Sequence, residues 1–181
     1  MSLQTSIEPF VVRIPQDTLD DLHHRLERTR WPEDSAHSDW DHGVDLGYLT
    51  ELVRYWQNDF DWRRQEREIN RLAHYHTVVE GLDIHFIHER GVGDNPLPLV
   101  LTHGFPDSFL RFSSIIPMLT DPRAHGADPA DAFDVVAPSL PGYGFSEKPS
   151  RDGSLFKVAK IWHTLMTETL SYDRFGAHGD D

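Results

Sequence analysis

The residues with the clearest chemical meaning close the sequence, in "GAHGDD", Gly176 to Asp181. A nucleophile on a sharp strand-to-helix turn needs a small residue two positions before it, because the turn brings the two backbones together. If Asp180 were the nucleophile, that position would hold His178, which is bulky. With Asp181 it holds Gly179, and Asp180 fills the unrestricted place between them. Geometry therefore favours Asp181 as the nucleophile.

Two other stretches follow apolar runs in the same way. "HGFPDS" (His103 to Ser108) follows "LPLVLT". Gly104 lets the backbone come close to a ligand, and the next amide, that of Phe105, is placed to meet a developing negative charge. An ordinary turn is the competing reading, since Gly104 and Pro106 are common loop residues. "PGYGFS" follows "FDVVAPSL" and, alone, is equally consistent with a plain Pro/Gly loop.

The elements that must carry these stretches change character near residue 74. Residues 1–73 read as a helical extension and 74–181 as a strand–helix alternation. In "PQDTLDDLHHRLERTRWP", Leu19, Leu22 and Leu26 recur on one helical face. Asp17 is the expected N-cap and Trp31-Pro32 the stop. "DLGYLTELVRYWQNDFDWRRQEREINRLA" predicts one or two further helices, with Leu49, Leu52, Val53 and Trp56 as an apolar stripe. Helical spacing of most of the five tryptophans predicts packing roles for them. After residue 74, "HTVVEGLDIHFIHERG" predicts two strands turning at Gly81. "LPLVLT", "FDVVAP" and "DRFGAHG" predict three more, separated by the helical patterns "SFLRFSSIIPMLT" and "SLFKVAKIWHTLMTETLSY". That alternation is the pattern of a parallel sheet with right-handed crossovers. Such a sheet carries its site at the carboxyl ends of the strands, where all three candidate stretches fall.

Composition narrows the classes. The chain has 181 residues, 38% hydrophobic, and a net charge of −13, so it suits a folded domain and disfavours a nucleic-acid partner or an anionic membrane surface. It has no cysteine, which excludes disulfides and thiolate chemistry. The N-terminal "MSLQTSIEPF" lacks the pattern of a signal peptide and no window reaches the length of a membrane span, so a cytoplasmic location is expected. Twelve histidines raise the question of a metal, and His74 and His76 would share one strand face. No H-E-x-x-H or similar ligand pattern accompanies them, and surface or packed histidines are the better reading. His103 reads as structural because it precedes the glycine at a strand end.

Together these stretches resemble the epoxide hydrolases of the α/β-hydrolase superfamily. The helical segments and "GLDIHFIHER" are similar to the N-terminal extension of the microsomal-type enzymes, and the likeness runs from about Pro9 to Asp181. The resemblance implies an α/β-hydrolase fold, here its N-terminal half through the nucleophile strand, preceded by the helical extension. It implies that an aspartate attacks an epoxide carbon, that lid tyrosines protonate the departing oxygen, and that an acid-oriented histidine activates water against the ester. On this pattern Asp181 matches the nucleophile and the Phe105 amide one oxyanion donor. His103, Gly104, Pro106 and Gly179 match the supporting motif residues. No cofactor and no metal are implied, and a small-molecule epoxide is the expected partner.

The sequence departs from the family in three places. Phe105 stands where Trp is frequent, and Asp107 and Asp180 stand where Gly is frequent. The two acids would add negative charge near the nucleophile and raise a carboxylate pKa. The base, the orienting acid, the lid tyrosines and the second oxyanion donor have no match up to residue 181, so these 181 residues alone are expected not to turn over. Alternatives are another Asp-nucleophile hydrolase such as a haloalkane dehalogenase, against which the extension argues, and a non-catalytic relative acting as a binding module. A sheet cut after its central strand would leave an apolar edge, which predicts poor solubility or self-association into a homo-oligomer.

Overall fold

The computed structural model describes residues 6–32, 40, 43–149 and 157–179. Among the described residues, six strands form one mixed sheet in the order β1-β2-β3-β5-β4-β6. The strands are β1 Glu8–Phe10, β2 His74–Val79, β3 Leu82–Glu89, β4 Leu97–Thr102, β5 Phe133–Pro138 and β6 Gly176–Gly179. β1, β2 and β3 pair antiparallel, β3 lies antiparallel to β5, and β5, β4 and β6 run parallel. The three apolar runs form the expected parallel part of the sheet, and the antiparallel β1, β2 and β3 extend it.

The β2–β3 hairpin turns through Glu80 (φ 51°) and Gly81 (φ 80°). Two successive positive φ values make a turn whose twist matches that of the flanking strands. β5 is buried along nearly its whole length. A core cluster of Val79, Ile84, Phe86, Val100, Val136 and Leu165 joins hairpin, parallel strands and the helix that precedes β6. That helix is α5, Val158–Thr164, and it continues into one wider π turn over Leu165–Thr169. Ile161, Trp162, Leu165 and Met166 are buried there, and Ser171 at φ 61° ends the run. Leu155, expected on the same stripe, lies outside the described residues.

The helical segment also differs in detail from expectation. Helix α1 covers Gln16–Glu27 with Pro15 at its N-cap, and Asp17 sits inside the first turn. Its carboxylate accepts from the adjacent Thr18 amide, so Asp17 supports the positive end of the helix without capping it. Helix α2, Leu46–Asn58, is capped by Asp45, which accepts from the Tyr48 amide at 2.8 Å. Its apolar stripe is only partly covered, with Leu52 45% and Trp56 43% exposed. Trp31 and Trp40 are exposed as well, and of the tryptophans only Trp162 is buried among the described residues. Trp162 is a core residue, whereas these three are not part of the core.

Helix α3, Trp62–Ile69, is organised by a buried carboxylate. Glu66 accepts from Arg63, the Trp62 indole and the Ile14 amide. Burial pushes its pKa up, but these hydrogen bonds outweigh that and hold the carboxyl below its ordinary value. By contact density, residues 12–67 form one unit and the segments through Val11 and from Glu68 onward form the other. The expected boundary at 73/74 has a strand ahead of it, β1, which pairs with β2. "SFLRFSSIIPMLT", read as one helix, is a 3-10 turn at Phe109–Phe112 and a short α4, Ile116–Thr120. Pro117 cannot donate to a preceding turn, so the helix restarts there and does not run through.

Candidate active site

The candidate stretches lie at the carboxyl edge of β4, β5 and β6. Register pairs Thr102 with Gly179 and Val100 with Val136, so these three strands end level with one another. The loop from His103, the loop from Ser139 and the end of β6 at Gly179 therefore lie at one edge of the sheet. Gly179 has open space where a Cβ would stand. The described residues do not by themselves demand glycine there. Asp180 and Asp181 lie outside the described residues.

His103 ties the first two loops together. Its ring is 1% exposed. Nε2 accepts from the Leu140 amide at 3.1 Å, and Nδ1 lies 3.1 Å from the Gly104 carbonyl. An amide can only donate and a carbonyl can only accept, so the proton sits on Nδ1 and the Nε2 lone pair is occupied. Both ring nitrogens of His103 are engaged, so neither is available to take a proton from substrate. The Tyr143 ring meets the imidazole edge-on at 5.5 Å between centroids.

Beyond His103 the chain turns tightly. The Asp107 amide donates to the Gly104 carbonyl, and the Phe105–Pro106 peptide is cis. The Phe105 side chain is 73% exposed, and among the described residues no acceptor engages its amide. Asp107 does not present a bare charge. Its carboxylate accepts from the Ser108 amide and pairs with Arg111. Those contacts hold its pKa below the ordinary value, the Ser108 amide contributing most. The added negative charge expected at this position is thus compensated by a guanidinium one helical turn away.

The loop after β5 is closed by serines. Ser146 Oγ donates to the Ser139 carbonyl at 2.8 Å and accepts from the His85 amide at 3.0 Å. Gly144, at φ 52°, comes so near Ser139 that a Cβ there would stand 2.5 Å from Oγ. Glycine is required at this position both for its conformation and for space.

Behind this loop runs a buried polar chain that motif reading did not find. Ser139 Oγ meets His85 Nδ1 at 2.8 Å, His85 Nε2 meets His74 Nδ1 at 2.9 Å, and His74 Nε2 meets the Ile69 carbonyl at 2.9 Å. The carbonyl only accepts, so with neutral rings every proton points from Ser139 toward Ile69. Burial is the main reason His85 is pushed down to about 3, with His74 and His76 adding to it, and burial lowers His74 too. Both rings are neutral members of a satisfied chain, enclosed by Phe10, Phe109 and Phe145. The spacing of His74, His76 and His85 on adjacent strands was the available signal, but it does not specify hydrogen-bond partners. These histidines bond to one another, to serine, to backbone or to Asp83, with His76 Nδ1 2.8 Å from the Asp83 carboxylate.

At the opposite edge of the sheet, Asp134 accepts from Arg90, Tyr172 and the Gly91 amide. Burial pushes the Asp134 carboxyl up, yet these donors bring it below its ordinary value. Tyr172 also lies 2.9 Å from His88 Nε2, and burial pushes His88 down to about 4. This cluster fastens β3, β5 and the segment before β6 at the amino end of the parallel strands, remote from the site.

Comparison with known proteins fits this arrangement. Residues 7–112 match the family described as epoxide hydrolase N terminus, and residues 98–179 match the alpha/beta hydrolase fold. The chain is 48% identical over 176 residues to a protein of Stigmatella aurantiaca (strain DW4/3-1) that carries an epoxide hydrolase name. It is 40% identical over 181 residues to epoxide hydrolase 1 of Oryctolagus cuniculus. Each alignment covers 97% of this chain and 40% of the relative. The solved Aspergillus niger epoxide hydrolase superposes with a TM-score of 0.85 at 30% identity, over 98% of this chain and 47% of that one. The chain thus spans about two-fifths of the length of the curated relatives it matches. The helical segment, the carboxyl-edge loops and these likenesses agree, and the chain belongs to the epoxide hydrolase family of the α/β-hydrolase superfamily.

Proposed function

We propose that the protein carrying this sequence opens an epoxide to a vicinal diol through an ester on Asp181. One carboxylate oxygen of Asp181 attacks an epoxide carbon, the carbon–oxygen bond breaks, and the departing oxygen takes up a proton. Water then attacks the ester carbonyl, the tetrahedral oxyanion forms, and its collapse releases the diol and restores the carboxylate. Epoxide plus water becomes diol, with no other reactant.

The observation that carries this reading is the His103–Leu140 bond, which holds the Phe105 amide at the same sheet edge that β6 reaches at Gly179. An amide that no acceptor among the described residues engages, at the sheet edge where β6 ends two residues short of Asp181, suits an oxyanion donor worth about 10²–10³ in rate. His103 is not the base in this scheme, because its Nε2 lone pair is already taken. We assign the base, its orienting acid, the proton donors and the second amide to further sequence of the kind the longer relatives contain. Asp181→Ala should abolish hydrolysis of a simple aryl epoxide such as styrene oxide by the full-length protein while leaving its melting temperature within a few degrees. Hydrolysis by this variant within tenfold of the parent rate would overturn the assignment.

A further inference from the structure

The polar chain behind the β5 loop ends one residue from the bond that positions the candidate oxyanion amide. We propose that Ser139 and His85 are positioning residues: they fix the β5 loop so that Leu140 can anchor His103 and, through Gly104, set the direction of the Phe105 amide. The kinetic part rests on the function proposed above, whereas the positional part does not.

Four contacts converge on Ser139. Its hydroxyl donates to His85 Nδ1, its amide donates to the His85 carbonyl at 2.9 Å, its carbonyl accepts from Ser146 Oγ, and Gly144 packs on its Oγ. Ser139 and His85 are both 0% exposed. His85 is fixed from its other side by His74, which is fixed by the Ile69 carbonyl. The next residue, Leu140, donates its amide to His103 Nε2, and His103 is followed by Gly104 and Phe105. Three hydrogen-bonded histidines therefore stand between the end of α3 and the amide at the site, none of them with a free nitrogen for proton transfer. Each link is directional: removing the Ser139 hydroxyl leaves a buried imidazole lone pair without its donor, and the loop must shift to recover one. A donor displaced by about 1 Å from a reacting oxygen is enough to cost up to about 100-fold in rate.

The test uses the full-length protein, with Ser139→Ala, His85→Leu and His85→Asn beside the parent. Asparagine keeps an acceptor close to where Nδ1 sits, whereas leucine keeps only bulk. Amide hydrogen exchange at Leu140, whose amide is held by His103, is read alongside kcat and KM for styrene oxide. Ser139→Ala and His85→Leu should speed exchange at the Leu140 amide by at least about tenfold and lower kcat by about tenfold, with KM within about twofold. His85→Asn should recover most of both effects. If Ser139→Ala does not fold, the comparison of His85→Asn with His85→Leu decides. Parental exchange and kcat in Ser139→Ala and His85→Leu, with only a lowered melting temperature, would overturn the proposal and leave these residues as core packing. If the parent protein opens no epoxide, the functional reading has failed, and the exchange measurements alone decide the positional claim.

Discussion

At the scale of single residues, the arrangement separates histidines that hold the fold from any that could move a proton. His103 is the instructive case, since a histidine beside a glycine at a sheet edge invites assignment as a base. Its Nε2 is spent on Leu140, and the expected outcome of substitution follows from that. His103→Gln keeps an acceptor for the Leu140 amide and should preserve the pH dependence of any hydrolysis. His103→Leu leaves that amide without a partner and should cost about 1–3 kcal/mol of stability in urea unfolding. A pH–rate profile that loses its acidic limb in His103→Gln would identify the histidine as a base after all. Glycine and proline were readable here from sequence because their backbone consequences are local. The partners of His85 and Asp107 were not, because Ser139 lies 54 residues from the first and the Arg111 pairing depends on how a short 3-10 turn folds.

At the scale of elements, what was legible was a period or an apolar run. The β2–β3 hairpin and α1 carry spacing signals, the parallel strands were legible as short runs between helical patterns, and each occurs close to its expected place. β1 was missed because Glu-Pro-Phe has only three residues and no alternation; it exists through pairing with β2. The stripe of α2 was read correctly as apolar, but a stripe specifies a face and not what covers it. The hairpin's contribution to the core can be measured directly. Ile84 on β3 is fully buried and packs in the cluster with Val136 and Leu165. Ile84→Ala should destabilise the protein by about 2–5 kcal/mol, the range for a large-to-small change in a packed interior. A loss below 1 kcal/mol in denaturant unfolding would contradict the packing described for that strand.

At the scale of the whole molecule, buried neutral histidines and hydrogen-bonded carboxylates both make the fold sensitive to acid. Burial lowers His85 to about 3 and His88 to about 4, so the folded state refuses protons that the unfolded chain accepts below about pH 6.5. The stability they contribute is present above that pH and is lost as the pH falls toward 4 and 3. Each such histidine steepens the decline by up to about 1.4 kcal/mol per pH unit. The lowered carboxyls of Asp134 and Glu66 act in the same direction at still lower pH. Urea midpoints measured from pH 7 to 4.5 should therefore fall progressively, and His85→Asn should flatten that fall. A midpoint that stays constant or rises over this range would mean that the buried rings are not held neutral.

The central claim is that Asp181 becomes the ester, and oxygen tracing tests it most directly. With the full-length protein in excess over styrene oxide in ¹⁸O-enriched water, a single turnover should give diol whose new oxygen is unlabelled. The heavy oxygen should appear in the peptide that contains Asp181. Heavy oxygen entering the diol in that first turnover, with none in the peptide, would mean that water attacks the epoxide directly and that Asp181 is not the nucleophile.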